Sequence, residues 1–443
     1  MGCPASWIAI FLPWYVALTA PPAIDLQTQN NWPQCEGHIL WPNHRANEMT
    51  TEIRTIGTSR RQRWMWLGLI VALAILAYQL SGLVANPGIL ADDYVEYWAA
   101  GRLNLSGGNP YAADQLLPLE RAAGRKTEVL LMWNPPWTLA LAMPLALFSY
   151  PISRLIWFIL SIAMILMATN WAWTLLGGSN QKRWLASVIA FTFFPTILVL
   201  RIGQIGPVLL LGIVGFLHFE HKKRYWLAGA FAALLAIKPH LLSLVCIYIL
   251  AWSIGRRRWG IFGGGGIVML SATLAAMMFN SHVITQYLSA TMADSPLVWR
   301  TPTFGSLSHL LLGSERRWLA FIPMVAGIFW LAMYGLRHCA DWLWADRMAL
   351  LLLVSVVSAP FGWSFDQVVL IPALLQTIIQ LLATSRGRIV YGANISYLAI
   401  NIAAFVVHAR FIDFWLIWLA PALLIWYLLA QRWSRHAAVL MSG

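Results

Sequence analysis

Long apolar stretches, separated by short polar or basic segments, recur along almost the whole chain of 443 residues. Hydrophobic residues make up 59% of the sequence and charged residues 11%, and the mean hydropathy is +0.65. A soluble domain carries about 25% charged residues, whereas a helix that crosses a hydrocarbon core needs about 20 mostly apolar residues. The sequence therefore predicts an all-α, polytopic membrane protein without a soluble domain of any size.

Hydropathy predicts about 13 candidate spans. They are residues 66–85, 134–150, 155–176, 184–200, 205–219, 226–237, 241–253, 259–279, 319–336, 348–361, 366–383, 389–407 and 415–430. The candidate at 134–150 opens with Pro135 and Pro136 and is interrupted by Pro144, so we expect it to be re-entrant or to lie in the membrane plane. The predicted architecture is a bundle of about 11–13 transmembrane or re-entrant helices.

Basic residues cluster in the segments between these candidate spans. The clusters are Arg60, Arg61 and Arg63; Lys182 and Arg183; Lys222, Lys223 and Arg224; Arg256, Arg257 and Arg258; Arg386 and Arg388; and Arg432 and Arg435. The positive-inside rule assigns such clusters to the cytoplasm, so both termini are expected to face inward. This topology accounts for the net charge of +13 and favours membrane lipids, not nucleic acid, as partners of the basic residues.

The topology divides the chain into three regions. Residues 1–64 form an N-terminal tail that is either cytoplasmic or mis-assigned, because Met49 begins a segment typical of an ordinary cytoplasmic start. Within this tail, the apolar stretch from Trp7 to Ala20 is too short to span a membrane comfortably. Residues 65–436 are expected to form the integral membrane domain, and residues 437–443 a C-terminal tail.

The first predicted external loop carries two adjacent carboxylates, Asp92 and Asp93, before an aromatic-rich segment. Helical spacing puts Tyr94 and Tyr97 on one face and Glu96 on the other, which predicts an amphipathic helix on the outer membrane surface. Carboxylates at a bilayer surface cost desolvation energy, so they indicate a functional site. The structural alternatives are that Asp92 caps the helix and that Asp93 is a first-turn acid stabilised by the helix dipole.

Five external segments are expected to converge on one cavity. They are the loop 86–133, the turn 201–206, the corner 238–240, the loop 281–317 and the segment 363–367. The four glycines at 263–266 predict close helix packing rather than a phosphate loop. The four cysteines of the chain do not lie at the spacing of a metal site, and neither a metal nor a cofactor is predicted.

Several short motifs follow one another in a characteristic order. They are Asp93-Tyr94-x-x-Tyr97, Gly108-Asn109-Pro110-Tyr111, Asn134-Pro135-Pro136, Gly203-Gln204, Lys238-Pro239 and Ser358-Ala359-Pro360. Their order, over roughly residues 66–430, resembles glycosyltransferase family 87, also known as DUF2029, which contains polyprenol-phosphate-mannose-dependent mannosyltransferases. The resemblance implies a GT-C fold in the plasma membrane with an outward-facing active site. It also implies inverting transfer of a sugar, with mannose favoured, from a polyprenyl phosphate to a glycolipid or glycan acceptor.

The acidic residue that the resemblance implies matches Asp93, with Asp92 as the adjacent alternative. Nucleotide sugars do not cross the bilayer, so an acid on the outer face needs a membrane-borne donor, and Asp93 is expected to act as the general base. Cations must then stabilise the leaving phosphate, and the candidates are Lys238, Arg201 and Arg300. The structural alternatives are a snorkelling side chain for Lys238 and an interfacial anchor for Arg201.

Further polar and aromatic residues are expected to line the cavity. They are Tyr97, Gln204, His240, His309, Trp363, Asp366 and Gln367. Many family members have Trp followed closely by His, whereas this chain has Trp363 followed by Asp366, which either replaces that His as a hydrogen-bond acceptor or is itself the base. The alternative for His309 is a purely structural role. The alternative for Gln204 is that it pairs with backbone groups left open by the neighbouring glycines.

The competing class of protein is a transporter or flippase for a lipid-linked sugar. Such a protein also needs broken membrane helices and cations for a phosphate. Transporters commonly show repeats with paired interrupted helices, and the sequence shows no internal repeat of this kind. The order of motifs therefore favours the enzyme.

Overall fold

The structure of the protein, a computed structural model, describes residues 93–293, 297, 299–313, 316–384 and 387–442. The N-terminal tail at 1–64, the predicted first span at 66–85 and Asp92 lie outside the described residues. Among the described residues, 79% are helical and none forms a strand. The prediction of an all-α, polytopic fold is confirmed.

Seventeen α-helices are present in the part of the chain that the structure describes. They are α1 Tyr94–Leu105, α2 Ala113–Ala122, α3 Leu139–Ala146, α4 Tyr150–Leu175, α5 Trp184–Thr192, α6 Phe194–Ile202, α7 Gly206–His221, α8 Tyr225–Ala232, α9 Ser243–Gly255, α10 Trp259–Phe279, α11 Val283–Ala293, α12 Phe304–Leu312, α13 Ile322–His338, α14 Trp344–Val357, α15 Ile371–Thr384, α16 Gly387–Arg410 and α17 Leu419–Ser442. Short 3-10 helices precede or extend several of them, at Pro136–Thr138, Asn180–Lys182, Ala233–Ile237, Arg317–Phe321, Ser364–Leu370 and Asp413–Leu416.

Six helical segments among the described residues are long and apolar enough to cross a membrane. They are Tyr150–Leu175, Trp259–Phe279, Arg317–His338, Ser364–Ala383, Ile389–Arg410 and Asp413–Ser434. Four apolar segments are shorter, namely Pro136–Ala146, Gly206–His221, Tyr225–Ile237 and Ser243–Gly255. The segment Pro136–Ala146 extends only about 16 Å at the helical rise, and the expectation that the predicted span at 134–150 does not cross stays a prediction.

The predicted span at 184–200 is broken in the structure. Helices α5 and α6 meet at an angle of 62°, because Phe193 is extended and Pro195 occupies the first turn of α6. The break leaves the Phe194 amide without an intrahelical acceptor, and this amide donates a 2.7 Å hydrogen bond to the Oδ1 atom of Asn401 on α16. A broken helix is tolerated in a membrane where side chains satisfy the freed backbone, and Asn401 meets that condition.

Helices α8 and α10 pack with their backbones in direct contact. A Cβ atom at Gly264 would overlap the carbonyl oxygen of Trp226, and one at Gly229 would overlap the carbonyl oxygen of Ile261. Nothing lies within 4 Å of the corresponding position at Gly266. The glycine run therefore contributes Gly264, and α8 contributes Gly229, to a close helix contact of the kind that small residues allow between membrane helices.

Helix α1 lies where the sequence predicts a helix, but it is not a surface helix with one wet face. Tyr94 to Gly101 are all buried, and Tyr94 stacks on Trp157 of α4 at 5.7 Å between ring centroids. The expectation that Glu96 points away from the buried face is wrong, because its side chain is only 7% exposed. The first eight residues of the helix are enclosed on all sides, so helical periodicity alone did not indicate where they point.

Candidate functional site

A cavity of about 1350 Å³ lies at one end of the helical bundle. The residues that line it come from α1, the loop 125–135, the turn after α6, the segment 237–240, the region of α11 and Trp299, and the segments 361–366 and 412–413. The first residues of α1 and the 3-10 helix Ser364–Leu370 lie on its walls. We call this space the main cavity. It contains both Asp93 and Lys238, as the predicted convergence of external segments requires.

A continuous chain of polar contacts runs through four of the predicted site residues. The Nε2 atom of Gln204 donates to the Oδ2 atom of Asp93 at 3.0 Å, and the Nζ atom of Lys238 approaches the Oε1 atom of Gln204 at 3.4 Å. Lys238 also forms an ion pair with the Oδ1 atom of Asp366 at 2.8 Å. Tyr97 donates to the same Oε1 atom of Gln204 at 2.8 Å. Gln204 therefore connects the acidic and basic ends of the site.

The position of Gln204 depends on the turn at Gly203. Gly203 ends α6 in the left-handed conformation, with φ of +76°, which glycine adopts without a steric penalty. A Cβ atom there would also lie 3.0 Å from the guanidinium carbon of Arg154 and closer still to Tyr94. The indole nitrogen of Trp157 on α4 donates to the Gly203 carbonyl at 2.7 Å, so a neighbouring helix also holds the turn in place.

Lys238 lies at a corner where the 3-10 helix Ala233–Ile237 ends before α9. The side chains of Asn134 and Trp137 donate to the carbonyls of Ile237 and Ala236 at 3.3 and 3.2 Å. These hydrogen bonds satisfy backbone acceptors that the end of a helix leaves open. The motif that begins at Asn134 thus positions Lys238, and the Lys238 side chain is 11% exposed.

Asp366 is held by the backbone of its own segment, and that segment is held in turn by Asp413. Its Oδ2 atom accepts the backbone N–H of Trp363 at 3.0 Å, which leaves Oδ1 for Lys238. Ser364, at the start of the same 3-10 helix, donates its amide to the Oδ2 atom of Asp413 at 3.0 Å and its hydroxyl to Oδ1. Asp413 lines the main cavity and was missed by sequence reasoning.

His240 and Arg300, two more predicted residues, also line the main cavity. The ring of His240 stacks on Phe361 with 3.8 Å between centroids. Burial and the neighbouring Lys238 lower the pKa of His240 to about 3, so its imidazole is neutral at physiological pH. Arg300 is exposed and presents a second cation at the wall of the cavity.

Four predicted residues lie outside the lining of the main cavity. Tyr97 is buried and donates to Gln204. Arg201 is exposed at the end of α6, where its carbonyl accepts from Arg154 at 3.0 Å. His309 is buried within α12. Gln367 is buried beside Trp363 at a much smaller cavity of about 10 Å³.

Glu96 is the second acidic residue that sequence reasoning missed. It lines the main cavity one helical turn after Asp93. Burial, reinforced by the charge of Asp93, raises the pKa of Glu96 to about 8. Glu120 of α2 is completely buried nearby and accepts the Leu130 amide at 3.0 Å. The acidic end of the cavity therefore brings Asp93 beside a carboxyl group that favours its neutral form.

Half-buried tryptophans form an aromatic wall along the main cavity. The rings of Trp133 and Trp299 lie edge to face at 5.4 Å, and those of Trp299 and Trp363 are 6.1 Å apart. All three residues line the cavity and remain partly accessible. Such a wall offers flat apolar surface next to the hydrogen-bonded residues Asp93, Gln204 and Lys238.

No group of three or more His, Cys, Asp or Glu residues suited to a metal ion occurs among the residues described.

Comparison with known proteins gives one match. No curated protein and no solved structure was found to match the chain. The sequence profile of glycosyltransferase family 87 matches residues 133–360, a range that includes Gln204, Lys238 and Arg300 and excludes Asp93 and Asp366. The helical membrane architecture is consistent with the GT-C superfamily. The profile covers just over half of the sequence, and the chain therefore belongs to glycosyltransferase family 87.

Proposed function

We propose that this glycosyltransferase moves a hexosyl or pentosyl group, with mannose favoured, from a polyprenyl-phosphate donor to an acceptor hydroxyl, with inversion. The acceptor is a glycolipid or glycan, and the protein works in the plasma membrane with the main cavity facing outward. The observation that carries this proposal is the chain from Asp93 through Gln204 to Lys238 and Asp366. It presents a carboxylate and an ammonium group to one space, as an attacking hydroxyl and a leaving phosphate require.

Asp93 is the proposed general base. Its carboxylate accepts one hydrogen bond from Gln204, which favours the ionised form. In the reaction, the acceptor oxygen forms a bond to the anomeric carbon and its proton passes to Asp93. General-base catalysis of this kind typically contributes about 10²- to 10⁴-fold. Asp92 lies outside the described residues, and Asp366 is the weaker candidate because Lys238 already occupies its Oδ1 atom.

Lys238 is the proposed ligand of the donor phosphate. As the bond between the anomeric carbon and the phosphate oxygen breaks, its electron pair stays on the phosphate, and a preorganised cation stabilises that charge. Arg300 supplies a second cation from the cavity wall. Arg201, the third candidate from the sequence, is the least favoured, because it does not line the main cavity.

The aromatic wall supports a carbohydrate as the ligand. The weakly polar C–H faces of sugar rings pack on aromatic side chains, and Trp133, Trp299 and Trp363 offer such surfaces beside the polar chain. The cavity of about 1350 Å³ exceeds the range of about 300–1,000 Å³ of ordinary small-molecule pockets. A donor head group and an acceptor sugar therefore have room to bind together.

The outward direction is supported by the position of a basic cluster relative to the cavity. Arg256 donates to the carbonyls of Cys339 and Ala340 at 2.7 and 3.2 Å, so the cluster at 256–258 lies near the start of α14. Helix α14 has 14 residues and extends about 21 Å. It ends at Val357, which lies near Trp363 of the main cavity. The positive-inside rule assigns the basic end to the cytoplasm, which puts the main cavity on the other side.

The test is transfer from a panel of radiolabelled polyprenyl-phosphate sugars into membrane lipids and glycans. We expect Asp93→Asn to abolish transfer while donor binding persists. Asp114→Asn is the matched control, because Asp114 is an exposed acid on α2 and its replacement changes the same charge. If no donor supports transfer by the wild type and the lipid moves across vesicles instead, the flippase is favoured.

A further inference from the structure

Two carboxyl groups face the same end of the main cavity, and the proposed reaction uses only one of them. Asp93 and Glu96 are separated by one helical turn, which puts them on the same side of α1, and both line the cavity. Asp93 is partly exposed, whereas Glu96 is 7% exposed. Glu96 therefore lies deeper in the protein, where ionisation costs more.

The groups around Glu96 indicate which carboxyl group keeps a proton. Asp93, just before α1, and Glu120 on α2 disfavour a charge on Glu96, whereas Lys238 favours it. Burial is the largest influence and opposes the charge, so the pKa of Glu96 is raised to about 8. Two acids whose environments separate their pKa values commonly divide the roles of acid and base.

We propose that Glu96 is a further catalytic residue, which donates a hydrogen bond as a neutral carboxylic acid to an oxygen of the donor phosphate. The inference rests on the proposed function of the main cavity. The acceptor proton still goes to Asp93, and the electron pair of the broken glycosidic bond stays on the phosphate. Glu96 and Lys238 then stabilise that phosphate together, with one neutral donor and one cation.

A neutral Glu96 also controls the charge of the cavity. With Glu96 protonated, the charged groups that the proposed reaction uses are the Asp93 carboxylate and the cations Lys238 and Arg300, and Asp366 is paired with Lys238. An ionised Glu96 would add a second negative charge one turn from Asp93 and would repel an incoming phosphate. The same proton therefore supplies the hydrogen bond and removes a repulsion.

The first experiment compares Glu96→Gln with Glu96→Ala across pH 6–9. The amide of Gln donates a hydrogen bond and does not ionise, so we expect Glu96→Gln to transfer sugar within about threefold of wild type at pH 7. Loss of a hydrogen bond to a charged group predicts a decrease of about 10- to 100-fold for Glu96→Ala. Wild-type transfer should decline above about pH 8, whereas Glu96→Gln should not show that decline. Equal losses in both variants, or full activity of Glu96→Ala, would overturn the proposal.

Two readouts are independent of sugar transfer. The folded protein keeps the Glu96 proton up to its pKa of about 8, whereas the unfolded chain loses it at the ordinary pKa of about 4.5, so stability falls as pH rises between these two values. The melting temperature of Glu96→Gln should lack that part of the decrease. Sugar-free polyprenyl phosphate should raise the melting temperature of wild type and Glu96→Gln at pH 7, and raise that of Glu96→Ala less. If these shifts appear without sugar transfer, the glycosyl-transfer proposal fails and the phosphate contact of Glu96 stands; if Glu96→Ala shifts like wild type, that contact fails.

Discussion

Replacement of Lys238 by Met tests whether this ammonium acts on the donor phosphate. A unit charge about 4 Å from the phosphate, at an effective dielectric constant of about 20, contributes about 4 kcal/mol. Each 1.36 kcal/mol corresponds to about tenfold in rate, so Lys238→Met should lower transfer about 10³-fold. The assay is initial-rate transfer of labelled sugar from the donor that wild type uses, at equal amounts of folded protein.

Lys238→Met also removes the partner of a buried carboxylate. Lys238 and Asp366 are 2.8 Å apart, with side-chain exposures of 11% and 1%. Removal of one member of a buried ion pair costs about 3–5 kcal/mol, whereas replacement of both members by neutral residues is often close to neutral. We therefore expect Lys238→Met to lower the melting temperature strongly, and the double variant Lys238→Met/Asp366→Asn to recover most of it.

The double variant separates the two roles of Lys238. If Lys238 stabilises the phosphate, the double variant is stable and still transfers sugar about 10³-fold more slowly than wild type. If Lys238 serves only to neutralise Asp366, the double variant recovers transfer together with stability. Recovery of transfer would refute the reasoning, because the double variant has no cation at this position.

Three further predictions follow from the packing of the helices and the cavity wall. Asn401→Leu removes the acceptor of the Phe194 amide and should cost about 1–3 kcal/mol of stability in thermal unfolding; an unchanged melting temperature would contradict this. Gly264→Leu should destabilise by at least about 1–3 kcal/mol, whereas Gly266→Ala, which has open space, should not; equal effects would refute the packing argument. Trp299→Ala should raise the KM for the acceptor more than it lowers kcat, as measured by steady-state kinetics at varied acceptor concentration. A larger decrease in kcat than increase in KM would contradict binding of sugar by the aromatic wall.

Hydropathy predicted most membrane helices closely, because long apolar stretches have few alternatives. The prediction at 259–279 coincides with the helix Trp259–Phe279. The break after Phe193 was missed because a hydropathy average does not respond to a local bend, although Pro195 was a visible signal. The bend is set by tertiary contacts, above all that of Asn401 from a helix about 200 residues away.

The candidate site was predictable in its main residues and not in two further acids that line the cavity, Glu96 and Asp413. Asp93, Lys238 and Asp366 are polar residues next to apolar stretches, which is a local signal, and the structure brings them together. Glu96 was misplaced because the first eight residues of α1 are buried on all sides, so their periodicity does not distinguish a cavity from solvent. Asp413 lies just before the predicted span at 415–430, and its role depends on Ser364, which is distant in sequence.

The wide separation of the cavity residues along the chain has a consequence for biosynthesis. Membrane helices insert in the order of their synthesis, so Asp93 and Gln204 can meet early, whereas Asp366 and Asp413 arrive with the last spans. Before then, Lys238 lacks its counter-ion and the wall formed by Trp363 is missing. A nascent chain therefore has no complete cavity until the insertion of the last spans is finished.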